Sequence, residues 1–178
     1  MIKLHKRYFI TKYNPSLWSE AGIYMGDEWT GIEDLKKTGK SAISEREYLD
    51  VEQKYIDCVL YLMNKNNIDF LYVADLTAAD ISDDVRIHSL YDKDTVKFKD
   101  KIAEGMKVDS GSVKYAVRLM LRCNIDCRLY SRKKHFIVII SDEMYMHVIC
   151  PQLFDEDIKK IESSGLFVAG EQRSEDEV

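Results

Sequence analysis

A long amphipathic helix with a clear start signal constrains this chain more than any other feature. Ser44 is followed three residues later by Glu47, which is the spacing of a capping box. Beyond it, apolar residues recur at intervals of three and four: Tyr48, Val51, Tyr55, Cys58, Val59, Leu62 and Met63. This spacing places them on one face of a helix, so we expect that face to be buried. The helix is predicted to end within residues 64–67.

Strands are predicted on both sides of this helix. Residues 68–76, IDFLYVADL, form a nearly continuous apolar run rich in strand-forming residues, which indicates a central strand returning alongside the helix. Residues 8–11 are aromatic and β-branched and predict an earlier strand, which Pro15 stops. A loop with both tryptophans and a short helix near residues 31–37 then lead to the long helix.

The second half of the chain predicts more helices and three consecutive strands. Helical spacing is interrupted near residues 92–94 within 86–105, and is regular from Val113 to Leu121, where Lys114, Arg118 and Arg122 are expected to face water. The predicted strands, separated by short connections typical of an antiparallel meander, are residues 127–131, 136–141 and 144–150. The middle strand is apolar on both faces and is expected to be the most buried. A short helix is predicted at residues 155–163.

The order of these elements predicts an α+β fold. A chain of 178 residues suits one domain, and no repeat or long linker divides it. We therefore expect a single α+β domain over residues 1–169, with several helices packed on a partly antiparallel sheet that ends in the three-stranded meander. Residues 170–178 are acidic and nearly devoid of apolar side chains, so a disordered tail is expected there.

Composition narrows the functional classes. A hydrophobic content of 46% is enough for a sizeable core. The net charge of −5 argues against a general nucleic-acid binder and suits a cytosolic protein or one with a basic partner. The first ten residues lack the apolar segment of a signal peptide, and no apolar run approaches the ~20 residues of a membrane span. We expect a cytoplasmic protein that does not bind membranes.

Catalytic and cofactor motifs are not recognisable in the sequence. The cysteines and histidines do not form the paired spacing of a structural zinc site, and no phosphate loop or nucleophile elbow occurs. We therefore expect a protein that is not an enzyme and holds no metal or cofactor. The alternative is a small hydrolase or nuclease in which His135 or His147 acts with Asp142 or Glu143.

A second alternative is a nucleic-acid-binding module. Residues 114–134 are basic, while acidic residues concentrate elsewhere in the chain. Tyr115 and Tyr130 lie within this region and would serve as stacking partners for bases. The acidic balance of the remaining chain favours a protein partner instead, so direct contact with nucleic acid is not expected.

An acidic patch bordered by aromatic residues is the preferred candidate interface. Complementary potentials speed encounter with a basic partner and set its specificity. The candidate residues are Trp18, Asp27, Glu28, Trp29, Asp80, Asp83 and Asp84. The sequence leaves open whether Trp18 and Trp29 belong to the interface or pin the loop to the core, and it leaves the oligomeric state open.

The opening stretch also resembles a family of small bacterial proteins. The family pattern I-T-K-Y-N-P appears at residues 10–15, and D-x-W-T-S appears at residues 27–31 with Gly31 in place of Ser. Shorter matches follow at residues 47–52, 119–129, 144–146 and 165–168, and the chain departs from the pattern after Val168. Some of these proteins resemble immunity proteins of polymorphic or contact-dependent growth inhibition systems. The resemblance implies a binding protein rather than an enzyme, with the immunity role of blocking one cognate toxin. Together with the acidic balance, it leads to the hypothesis of a cytosolic immunity protein that occludes the active site of a toxin domain, such as a ribonuclease or other nuclease.

Overall fold

The computed structural model describes residues 6–21, 23–38, 42–78 and 89–173, with side chains to residue 168. In these ranges the strands are β1 (Lys6–Thr11), β2 (Phe70–Ala78), β3 (Lys107–Asp109), β4 (Ile125–Ser131), β5 (Phe136–Ser141), β6 (Tyr145–Cys150) and β7 (Phe167–Arg173). The α-helices are α1 (Glu45–Lys65), α2 (Lys93–Lys99), α3 (Val113–Leu121) and α4 (Asp155–Ser163). Short 3-10 turns occur at Pro15–Leu17, Ile32–Lys36, Arg132–Lys134 and Asp142–Met144.

The strands form one antiparallel sheet in the order β3-β2-β4-β5-β6-β1-β7. Helices and an antiparallel sheet in a single core confirm the predicted α+β class. The three strands predicted from residues 127–150 correspond to β4, β5 and β6. They lie side by side in the interior of the sheet, where β2 extends it on one side and β1 and β7 on the other, so they are not its C-terminal end.

The two faces of the sheet differ in burial. On β5, Phe136, Val138 and Ile140 are buried among the helices, whereas Ile137 and Ile139 are only partly buried. The same alternation occurs on β4 and in the first parts of β2 and β6, as the two-residue period of a strand requires, while Ile149 near the end of β6 is buried as well. We call the second surface the open face of the sheet. The expectation that residues 136–141 are the most buried strand is wrong, since three of the six residues of β5 are buried against four of the six in β6.

The helix boundaries follow local hydrogen bonds. The Ser44 hydroxyl accepts a hydrogen bond from the Glu47 amide at 3.1 Å, so the predicted cap of α1 is confirmed. Asp92 accepts from the amides of Asp94 and Thr95 and starts α2, which explains the interruption seen in the sequence. None of the helices in the described part of the chain is long and apolar enough to cross a membrane.

The C-terminal strand changes the predicted end of the domain. β7 pairs with β1, with Tyr8 opposite Glu171 and Lys6 opposite Arg173. The predicted boundary between residues 169 and 170 therefore falls inside β7, and residues 170–173 belong to the sheet and not to a tail. Residues 174–178 lie outside the described residues.

Candidate functional site

A hairpin-like lobe follows β1 and contains most of the predicted interface. We define the lobe as residues 14–21 and 23–29. Asn14 caps the 3-10 turn Pro15–Leu17 by accepting a hydrogen bond from the Ser16 amide at 3.0 Å. Its two sides are joined by backbone bonds from Ser19 to the Ile23 carbonyl and from Met25 to the Leu17 carbonyl, both 2.8 Å long. These bonds give a fixed shape to a segment that the sequence predicts only as a loop.

Aromatic contacts anchor the lobe to the end of the sheet. The Trp18 ring lies 5.5 Å from Tyr24 within the lobe and 6.3 Å from Tyr145 at the start of β6. Tyr13 joins both tyrosines, at 4.9 Å from Tyr24 and 5.2 Å from Tyr145. Trp18 is half-buried and thus connects the lobe to the sheet, since it is neither a core residue nor a freely exposed one.

Trp29 occupies a different position, against the main core. Its ring lies 5.5 Å from that of Tyr48, a fully buried residue of α1. The hydroxyl of Tyr13 reaches its carbonyl oxygen at 3.5 Å, at the limit of hydrogen-bond distance. Of the two interpretations open for Trp29 in the sequence, the geometry matches the side chain that pins the loop to the core.

A nearly buried cation lies under the lobe. The Lys12 ammonium group is 3.2 Å from a Glu28 oxygen and 4.2 and 4.3 Å from the ring centres of Tyr13 and Trp29. Burial lowers the pKa of Lys12, and the ion pair with Glu28 opposes that shift. Glu28 also accepts a hydrogen bond from the Tyr24 hydroxyl at 2.5 Å, and burial together with this bond raises the pKa of Tyr24 to about 12. Glu28 is thus committed to its contacts with Lys12 and Tyr24.

Of the four other carboxylates in the predicted interface, the structure describes only Asp27. Asp27 belongs to the lobe and is exposed to solvent. Asp80, Asp83 and Asp84 lie outside the described residues, so their place relative to the lobe is not defined. Of the acidic patch expected from the sequence, the structure therefore describes only the part that belongs to the lobe.

Three exposed apolar side chains on the lobe were missed by sequence reasoning. Leu17 is 41%, Ile23 62% and Met25 69% exposed. Glu20 and Asp27, both exposed, lie on the same short segment. The signal was present in the sequence, because Ile23 and Met25 are large apolar residues in a stretch without helix or strand periodicity. The lobe thus presents an apolar surface with carboxylates beside it.

A groove separates the lobe from the open face of the sheet. It has a volume of about 610 Å³ and is lined by Phe9, Thr11, Pro15, Trp18, Ser141, Tyr145 and His147. The His147 ring packs edge-on against Phe9 with 4.7 Å between centroids, and a ring nitrogen is 3.5 Å from the Ser141 hydroxyl. The groove is mostly apolar, so it extends the apolar surface of the lobe onto the sheet.

The enzyme alternative required a histidine beside a carboxylate of the same hairpin. His135 precedes β5 and Asp142 follows it, and β5 has six residues. At about 3.3 Å per residue this separation is roughly 20 Å. His147 contacts Ser141 and Phe9, as described above. Among the residues that the structure describes, no cluster of three His, Cys, Asp or Glu side chains is placed to hold a metal ion.

The basic region 114–134 is divided by the fold. The side chains of Arg118 and Arg122 turn inward to Glu52, and Arg122 is fully buried, so the expectation that both face water is wrong. Tyr115 packs against Phe98 of α2 at 5.7 Å and is not beside Tyr130. The region therefore does not form one continuous basic surface.

Asp34 holds the backbone that leaves the lobe, and its lowered pKa predicts how stability depends on pH. It is buried and accepts hydrogen bonds from the Thr30 and Gly31 amides at 2.6 and 3.2 Å, with Lys37 as an ion-pair partner. Burial alone would raise its pKa, but the bonds from Lys37, Thr30 and Gly31 outweigh burial and lower it. A lowered pKa in the folded state means stabilisation above the usual carboxyl pKa of about 3.9, lost as the pH falls through the folded value.

Asp34→Asn is therefore expected to lower the free energy of unfolding at pH 7 and to flatten its decline below pH 4. Urea unfolding followed between pH 7 and pH 2.5 measures both effects. Glu33→Gln is the matched control, since the Glu33 side chain is 69% exposed and should change neither. A decline with pH as steep in Asp34→Asn as in the parent protein would contradict the prediction.

Comparisons with known proteins give no relative for this arrangement. No family model matches the chain, and neither the curated proteins nor the solved structures contain a match.

Proposed function

We propose that this protein is a cytosolic immunity protein that binds a cognate bacterial toxin domain and occludes its active site. The observation that carries the proposal is the lobe, where Leu17, Ile23 and Met25 are exposed beside Glu20 and Asp27. Exposed apolar clusters beside polar groups are typical of protein interaction sites. The resemblance of residues 10–15 and 27–31 to the family described above supports the same function.

The construction of the lobe suits tight binding. Backbone bonds and the contacts of Trp18 with Tyr24 and Tyr145 hold it in one shape before a partner arrives. Less conformational entropy is then lost on association, so more of the contact energy appears as affinity. The groove beside the lobe offers a second apolar contact that is continuous with the first.

The charges of the lobe indicate the class of toxin. Glu20 and Asp27 would accelerate encounter with a basic surface, such as the substrate cleft of a ribonuclease or other nuclease. In this arrangement Ile23 and Met25 fill the cleft while the carboxylates meet its cationic border. Asp27→Lys is accordingly expected to slow association and reduce its dependence on salt, with little effect on dissociation.

The double variant Ile23→Asp/Met25→Asp is expected to abolish protection and weaken binding by about 100-fold or more, because central apolar anchors dominate interface energetics. The toxin candidate is the domain encoded by the adjacent reading frame, expressed alone and together with this chain. Cell growth and co-purification give the first readouts, and isothermal titration gives Kd.

Leu49→Asp is the matched control, since Leu49 is 37% exposed on α1 and lies outside the lobe. It should protect cells as well as the parent protein. Growth without inhibition by the candidate toxin, together with no complex, would contradict the immunity function. A protective complex that tolerates the double variant would keep the function but remove the lobe from the interface.

A further inference from the structure

A second surface lies on the open face, diagonally across the sheet from the lobe. Phe70 and Tyr72 on β2 and Tyr130 on β4 form what we call the aromatic platform. Their ring centroids are 5.2 Å apart for Phe70 and Tyr72, and 5.7 Å apart for Tyr72 and Tyr130. Tyr72 is directly opposite Tyr130, and Tyr130 is directly opposite Ile137. All three rings are half-buried, so each still presents part of its surface to solvent.

Cations border this platform on two sides. From β3, the Lys107 ammonium group lies 4.6 Å from the ring centre of Phe70 and 5.8 Å from that of Tyr72. The turn Arg132–Lys134 directly follows β4 and begins two residues after Tyr130. This end of β4 lies beside Phe70, because β2 and β4 are antiparallel and Tyr72 is opposite Tyr130. Lys107 and the three cations of the turn form no ion pair with a carboxylate in the described ranges.

Acidic residues also lie near the platform, and Asp69, directly before Phe70, is exposed. Asp109 is directly opposite Phe70 and accepts a hydrogen bond from the Ser112 amide at 2.8 Å, where it caps the turn before α3. Asp75 is paired with Arg128 on the neighbouring row of the open face. Lys107 and the three cations of residues 132–134 outnumber Asp69 and Asp109, so the net charge around the aromatic platform is positive, although the whole chain is acidic.

We propose that the aromatic platform binds a short single-stranded nucleic acid. Bases would stack on Tyr72 and Tyr130, whose planes are inclined by only 36°, and phosphates would contact Lys107 and the cations of residues 132–134. Stacking platforms on antiparallel sheets tolerate many sequences, because every base has a π-face. An acidic protein segment would use the same cations but has no need of adjacent flat rings, so the rings favour the nucleic acid.

The site is small, which reconciles it with the net charge of −5. The exposed carboxylates of the lobe lie at the other end of the sheet, and the cations are confined to one corner. The footprint therefore covers a few nucleotides of a single strand and does not follow a duplex. This inference goes beyond the immunity function and uses a surface that the lobe variants leave intact.

The test is fluorescence anisotropy of the full chain with a labelled single-stranded RNA of twelve nucleotides and mixed sequence, from 50 to 200 mM salt. Tyr72→Thr/Tyr130→Thr keeps strand-forming residues and is expected to weaken binding about tenfold or more. Lys133→Glu/Lys134→Glu is expected to weaken binding and to reduce the salt slope by about two. Lys159→Glu/Lys160→Glu on α4 makes the same charge change away from the platform and should have less than a twofold effect.

Three outcomes would overturn the proposal. The first is no binding at 50 mM salt, and the second is equal binding by the parent and the double threonine variant, which would show a purely electrostatic contact. The third is displacement of the RNA by polyglutamate of matched charge as effectively as by unlabelled RNA, which would assign the platform to an acidic protein. Toxin protection by the lobe is measured in a separate experiment, so the outcome of RNA binding neither supports nor contradicts the immunity proposal.

Discussion

Glu52→Ala is expected to lower the free energy of unfolding by about 3–5 kcal/mol, the usual cost of leaving a buried charge without its partner. Glu52 is 1% exposed and accepts hydrogen bonds from Arg118 at 2.9 Å and from Arg122 at 2.7 and 2.9 Å. The side chain of Arg122 is fully buried. Without Glu52, this guanidinium keeps its bond to the Leu90 carbonyl and its contact with the Tyr91 ring, but no described carboxylate remains beside it.

Urea unfolding at pH 7 measures this loss, and an exposed ion pair provides the control. Glu33 bonds to Lys36 at 2.7 Å, but its side chain is 69% exposed. Glu33→Ala is therefore expected to change stability by less than about 1 kcal/mol. Similar losses in the two variants would show that the Glu52 network is solvated, and would contradict its role as the link between α1 and α3.

This network also shows where sequence reasoning reaches its limit. Arg118 and Arg122 have the spacing of a solvated helix face, and nothing local distinguishes them from Lys114, which is exposed. The difference comes from Glu52, some seventy residues earlier, whose position beside α3 is a property of the folded chain. Helical periodicity carries no information about pairing between distant charges, so sequence analysis predicted that all three cations face water.

Elements with local signals were predicted well. The cap at Ser44, the apolar stripe of α1 and the residues of α4 were each recognised from a few neighbouring positions. The pairing of β1 between β6 and β7 was not, because it joins segments more than a hundred residues apart. The end of the domain was misplaced for the same reason, since β7 owes its order to β1 and not to its own composition.

The candidate site was predicted only in part. The sequence identified the segment with Trp18 and Trp29, but it could not assign one ring to the sheet end and the other to the core. It also emphasised carboxylates, of which Glu28 is paired with Lys12, and it overlooked the exposed apolar residues Ile23 and Met25. Ile137 and Ile139 were taken as evidence of two buried faces. They are instead the apolar middle of the open face, between the lobe and the aromatic platform.

The substitution of tyrosine by phenylalanine is expected to change stability differently at two buried positions of α1. Tyr48 and Tyr55 are both fully buried. The Tyr55 hydroxyl donates to the Met144 carbonyl at 2.6 Å and accepts from the Lys12 amide at 2.9 Å. The Tyr48 hydroxyl is buried without a hydrogen-bond partner in the described part of the chain.

Tyr55→Phe is expected to lower the free energy of unfolding by at least about 2 kcal/mol, because two buried backbone groups each lose a partner at a cost of about 1–3 kcal/mol. Tyr48→Phe removes a hydroxyl whose burial no hydrogen bond compensates, so we expect it to be neutral or to stabilise by up to about 1 kcal/mol. Urea unfolding compares the two variants directly. Hydrogen exchange at the Lys12 amide should accelerate only in Tyr55→Phe, because this bond ties the base of the lobe to α1. Equal losses in both variants, or an unchanged Lys12 amide, would mean that ring packing and not the hydroxyl pair holds the lobe against the core.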